Sequence, residues 1–108
     1  MSEGYSIITD IFSGIDIPPK GMLSKTLHND DHAKIVLFGF APGHELAAHS
    51  APMPASIQIL KGDAILTIGA DVVEAQAGCI VHMQPHLTHS VAARTPLLML
   101  LTLFKSAG

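Results

Sequence analysis

Short apolar runs alternate with glycine and proline along most of this chain. Residues 34–40, 56–60, 64–68, 72–75, 79–83, 90–93 and 97–104 form these runs, rich in Ile, Val and Leu. Between them fall Pro42-Gly43, Pro52, Pro54, Gly62-Asp63, Gly69, Gly78, Pro85 and Pro96. Short β-branched segments at regular spacing with turn residues between them predict an all-β sandwich or barrel. Gly62-Asp63 and Gly69-Ala70-Asp71 read as hairpin turns, which predicts an antiparallel meander over residues 56–75. The best helical candidate, residues 44–49, is confined between Pro42-Gly43 and Pro52 and is too short to matter. The first 33 residues are more polar and irregular. They predict an N-terminal arm with one or two edge strands, in the same domain as a barrel over residues 34–108. The last run, 97–104, does not alternate. A strand apolar on both faces needs cover on both, either inside a sandwich or at a subunit interface.

Composition narrows the class. A chain of 108 residues is one domain, and 48% hydrophobic against 14% charged residues excludes a disordered tail. Six Lys and Arg against nine acids, for a net charge of -3, argue against nucleic-acid binding. The single cysteine, Cys79, forms no internal disulfide. The N-terminal segment has no basic stretch followed by an apolar one, so no signal peptide is expected. The longest apolar run, between Pro96 and Lys105, is about half the roughly 20 residues that a membrane helix needs. A soluble, cytoplasmic protein without a membrane partner is the expectation. With no Trp and 5% aromatics, the core must be built from Ile, Leu, Val, Met and Ala. A domain this small and apolar predicts a homodimer.

Seven histidines outnumber the lysines and arginines together, and five of them lie between His44 and His89. Histidine is the commonest metal ligand and the usual proton carrier near neutral pH. His44-Glu45-Leu46-Ala47-Ala48-His49 nearly matches the zinc-protease motif, but that motif needs its histidines four apart on one helical face. Five apart, they sit about 140° apart on a helix, and on opposite faces of a strand. The zinc-protease reading fails. His82, His86 and His89 fall at helical spacing, yet Pro85 and the segment Cys79-Ile80-Val81 after Gly78 argue against a helix. A strand to Met83, a turn at residues 84–86 and a next strand carrying His89 fit better. Imidazoles from adjacent strands at a barrel mouth can hold a metal while leaving coordination positions open.

Three segments then fall in order: Pro42-Gly43-x5-His49, Gln58-Ile59-Leu60-Lys61-Gly62-Asp63-Ala64, and Ala77-Gly78-x5-Gln84-Pro85-His86-x2-His89-Ser90-Val91. Together they resemble the two motifs of a small single-domain cupin, G-x5-H-x-H-x3-E-x6-G and G-x5-P-x-G-x2-H-x3-N, over residues 34–104. The resemblance implies a double-stranded β-helix, a two-sheet barrel with the site inside, and it makes His49 and His89 the metal ligands. It also shows departures. The second histidine of the first motif falls on Ala51 and its glutamate on Ala55. The proline, glycine and asparagine of the second motif fall on Gln84, His86 and Ala93.

A third metal ligand would have to come from Gln58, His82, His86, His44 or water. Gln58 lies on the strand that normally supplies the glutamate, although its three-residue offset from Ala55 reverses its face in a regular strand. His28 and His32 lie in a polar stretch that reads as a surface loop. No Ser-His-Asp order stands out, and no glycine loop that would cradle a phosphate. The resemblance therefore implies a barrel binding a divalent transition metal (Fe, Mn, Zn, Ni or Cu), a small organic ligand, or both. As an enzyme it would be a metal-dependent oxidoreductase of dioxygenase type, or an isomerase. The alternatives are a non-catalytic binding or sensing barrel with a degenerate metal site, and a purely structural dimerisation module.

Overall fold

The computed structural model describes residues 4–105, so the extreme ends of the expected arm and barrel, residues 1–3 and 106–108, lie outside the described residues. Nine strands follow a short 3-10 turn at Ile11–Ser13: β1 (Met22–Asn29), β2 (Ala33–Phe40), β3 (Glu45–His49), β4 (Ala55–Lys61), β5 (Asp63–Ile68), β6 (Asp71–Gln76), β7 (Ile80–Met83), β8 (His89–Ala93) and β9 (Leu97–Phe104). They form two sheets, a five-stranded one in the order β1-β2-β9-β4-β7 and a four-stranded one in the order β3-β8-β5-β6. Every pairing is antiparallel. Each of the seven apolar runs becomes a strand. Among the described residues no helix is long and apolar enough to cross a membrane.

Residues 44–49, too short for a helix and not among the apolar runs, hold a strand, Glu45–His49, paired with β8 at the edge of the four-stranded sheet. The meander over residues 56–75 is corrected. The β5–β6 hairpin forms, with Ile68 opposite Asp71. However, β4 pairs with β7 and β9 while β5 pairs with β6 and β8, so the turn between β4 and β5 carries the chain from one sheet to the other. Gly62 makes that corner at φ +87, with its Cα against the Pro96 carbonyl, where an added Cβ would lie 2.1 Å from the oxygen. The adjoining Asp63 N–H donates to Thr95 Oγ1 at 2.9 Å. A glycine-polar pair marks a turn in sequence but does not say whether the next strand stays in the same sheet.

The two sheets bury a shared core. Phe40, Ala55, Ile57, Ile59, Leu97 and Met99 face it from the five-stranded sheet, and Ala64, Leu66, Ala75, Val91 and Ala93 from the four-stranded one. Each large side chain removed from water here contributes about 1.5–3 kcal/mol.

The doubly apolar β9 lies between β2 and β4, and the first part of its second face is covered by the chain itself. Leu98 and, on β2, Leu37 are fully buried on that outer face. Above them runs the segment before β1: Gly14 sits directly on Leu37, and Ile17 and Pro18 sit on Gly39. The cover stops short of the far side of the sheet, where Ile80 and Phe104 are 65% and 40% exposed.

Candidate functional site

Two histidines meet on the inner side of the β3–β8 pair. Leu46 pairs with Val91 and His49 with His89, so β3 advances three residues while β8 advances two. A β-bulge absorbs the extra residue. In a regular strand, residues 46 and 49 would point to opposite faces; here the bulge returns His49 to the face of Leu46, whose side chain packs on the core. The two imidazoles lie with ring centroids 4.3 Å apart and planes inclined at 57°. His89 is the buried member, 6% exposed, and His49 is exposed at the mouth.

Both rings are anchored in the same way. His49 Nδ1 lies 2.9 Å from the Ala47 carbonyl oxygen, and His89 Nδ1 lies 2.9 Å from that of Leu87. A carbonyl oxygen only accepts, so each Nδ1 carries the proton and donates it. In the neutral imidazole each Nε2 then keeps its lone pair, and among the described residues no protein group engages either one. A ring held through Nδ1–H by a backbone carbonyl presents Nε2 in a fixed orientation, which is how metal-ligating histidines are oriented. Hydroxyl and amine donors can be accepted by the same atom.

The other sequence candidates do not join the pair. Gln58 lies between Ile57 and Ile59, both 1% exposed in the core, so its side chain takes the opposite face of β4, beside Ile80 and Leu100. His82 is likewise turned away. It precedes the inward Met83, is exposed, and rests 5.8 Å from the Phe104 ring on the outer side of the five-stranded sheet. His86 is exposed in the turn at φ 67, its N–H donating to the Ala51 carbonyl at 2.7 Å. His44 packs against Phe40, ring centroids 5.9 Å apart. Ala55 does face the core, 3% exposed, so the inward position of β4 carries only a methyl group.

Among the described residues no group of three or more His, Cys, Asp or Glu could hold a metal ion. Two imidazoles are one donor short of a catalytic zinc site and two short of a structural one. The described side chains therefore do not close a resident metal centre by themselves. The bulge is what the sequence reading missed. The spacing between Leu46 and His49 is odd, so a regular strand would have turned His49 to the face opposite Leu46.

No protein-family model and no curated protein matches this sequence. Solved structures do match its shape. A conserved protein of unknown function from Streptococcus pyogenes is 28% identical, with 96% of this chain and 91% of that one covered and a TM-score of 0.86. A cupin superfamily protein from Desulfitobacterium hafniense is 23% identical over 87% of this chain and 86% of its own, at a TM-score of 0.83. A conserved protein with a double-stranded β-helix domain from Klebsiella pneumoniae is 18% identical over 95% and 93%, at a TM-score of 0.81.

Proposed function

We propose that this chain, which has the double-stranded β-helix fold of the cupin superfamily, is a binding barrel for a small organic molecule held by His49 and His89. The observation that supports this reading is the matched anchoring of the two rings through Nδ1, which leaves the Nε2 atoms of two imidazoles 4.3 Å apart without a protein partner among the described residues. Such a pair accepts hydrogen bonds from the hydroxyl or amine groups of a ligand. The half-buried Leu46, on the same face beside the pair, gives the ligand's hydrocarbon part an apolar contact.

The same anchoring supports a second reading. His49 and His89 would hold a divalent transition metal, one of Fe, Mn, Zn, Ni or Cu, whose other positions are filled by water and the bound molecule. Imidazole suits several of these ions alike. When bound, the metal would supply a Lewis acid or redox centre for oxidation or isomerisation. The missing third donor favours the metal-free barrel.

Elemental analysis of protein purified without a nickel column, paired with an NMR screen of hydroxylated and amine-bearing fragments, separates the two readings. Fragment binding to metal-free protein that disappears in both His49→Ala and His89→Ala supports the binding barrel. A stoichiometric metal lost in the same variants moves the function to the second reading. The proposal also places two chains together through the outer face of the five-stranded sheet, where Ile80 and Phe104 stay exposed. A one-chain mass by light scattering at micromolar concentration would end that part of it. A reducing cytoplasm suits the free thiol of Cys79.

A further inference from the structure

The opposite sheet carries a second cluster, one that neither the sequence reading nor the barrel function uses. Ser6, in the arm, places Oγ 3.0 Å from His28 Nδ1 on β1. His28 Nε2 lies 2.6 Å from Asp30 Oδ2. The second carboxylate oxygen of Asp30 accepts the backbone N–H groups of His32 and Ala33 at 2.8 and 2.9 Å. This fixes the carboxylate at the tight turn between β1 and β2. Contact with His28, joined by the two N–H groups, holds the Asp30 carboxyl well below the usual carboxylate range, so it is ionised. An ionised carboxylate only accepts, so His28 Nε2 carries a proton, and in the neutral imidazole Nδ1 faces Ser6 with its lone pair. Nucleophile, base and orienting acid are thus joined in order.

Two clefts meet at this chain of hydrogen bonds. One, of about 420 Å³, has Ser6 and His28 on its wall and is otherwise apolar, lined by Ile8, Ile11, Leu27 and Ile35 among others. The other, of about 520 Å³, is lined by Tyr5, Asn29 and Asp30 together with the same Ser6 and His28. An apolar cleft on one side of a hydroxyl and a polar one on the other suit the two halves of an ester.

We propose that Ser6, His28 and Asp30 hydrolyse small esters, with the acyl chain in the apolar cleft and the leaving alcohol in the polar one. Ser6 Oγ forms a bond to the carbonyl carbon and gives its proton to His28 Nδ1. The bond from that carbon to the alcohol oxygen then breaks, and His28 returns the proton to the leaving oxygen. Water adds to the acyl-serine by the same route, its proton passing through His28 to Ser6 Oγ. One ester and one water become one carboxylic acid and one alcohol. Throughout, Asp30 holds the Nε2–H and so the ring's orientation.

The test uses the full chain with p-nitrophenyl butyrate and an alkyl fluorophosphonate. The expected result is a phosphonyl adduct that peptide mass spectrometry maps to Ser6, and an esterase rate that falls about 100-fold or more in Ser6→Ala and in His28→Gln. Ser6 is exposed in the arm, so Ser6→Ala should melt with the parent protein and its loss can be read as chemistry. Asp30→Asn should slow labelling of Ser6 without abolishing it. No adduct on Ser6, or a loss of less than tenfold in Ser6→Ala, overturns the proposal and leaves the cluster as a tether between arm and sheet. Neither result touches the His49–His89 pair.

Discussion

His49 stands opposite His89 because β3 takes three steps from Leu46 while β8 takes two from Val91. The extra step is the whole difference between an imidazole turned to the barrel interior and one turned to solvent. It also sets an asymmetry. His89 comes from the regular strand and is 6% exposed, whereas His49 sits beyond the bulge at the mouth and is exposed.

That asymmetry should appear as a separation of stability from binding. His89→Ala leaves a gap beside the core and an unpaired Leu87 carbonyl, and is expected to cost about 1–3 kcal/mol. His49→Ala, at an exposed position, should stay within about 0.5 kcal/mol of the parent protein. Urea unfolding of the two variants checks the difference. Both should abolish ligand binding alike, since each removes one of the two Nε2 atoms. Equal stability losses would mean that the pair is not built as described.

Seven of the nine strands, all but β1 and β3, were legible as bounded runs because their signal is local. Residues 64–68 and 72–75 already read as a hairpin about Gly69-Ala70-Asp71, and the structure forms it with Ile68 opposite Asp71. What the sequence concealed is long-range. Gly62-Asp63 has the composition of a hairpin turn, yet it crosses between sheets because the Pro96 carbonyl and Thr95 hydroxyl, more than thirty residues away, are packed against it. The doubly apolar run 97–104 showed that both faces needed cover. That the arm supplies it over Leu37 and Leu98 is visible only once the arm is folded back. The same holds for the sites: His49 and His89 were legible from their motif spacing, but Ser6 and His28 are 22 positions apart and meet only through that returning arm.

The corner makes Gly62 and Gly43 a discriminating pair. Gly43 has φ +82 and open space where a Cβ would stand, so Gly43→Ala should cost only the left-handed backbone term, about 1–2 kcal/mol. Gly62→Ala meets the same backbone term at φ +87 and drives a methyl group to 2.1 Å from a carbonyl oxygen. The strand corner must move, and a total loss of about 3 kcal/mol or more is expected. Thermal melts of the two variants measured together test the ranking.

Cover by the arm predicts that Leu37 is as sensitive as the central core although it faces away from it. Leu37 is 0% exposed beneath Gly14. Leu37→Ala should cost about 2–5 kcal/mol, and it should speed proteolytic cleavage within residues 4–21 while β2 to β9 stay protected. A variant that loses stability without faster cleavage of the arm would show that the arm does not rest on this side chain.

Asp30 gives the pH dependence. Its carboxyl is held below the usual 3.8 in the folded chain, first by the hydrogen bond from His28 and then by the N–H groups of His32 and Ala33. Protonating it is therefore harder in the folded state than in the unfolded one. Its stabilising contribution is complete above the usual value and drains away as pH falls from 3.8 toward the lower folded value. Asp30→Asn removes that contribution at every pH. The gap in melting temperature between parent and variant should thus shrink as pH falls below 3.8. A carbon-detected NMR titration of the Asp30 carboxyl adds a direct check, because His28→Ala removes the largest cause and should bring the midpoint back up toward the usual range. A midpoint that stays depressed in His28→Ala would assign the shift to the backbone donors alone and weaken the case for His28 as a ring oriented by Asp30.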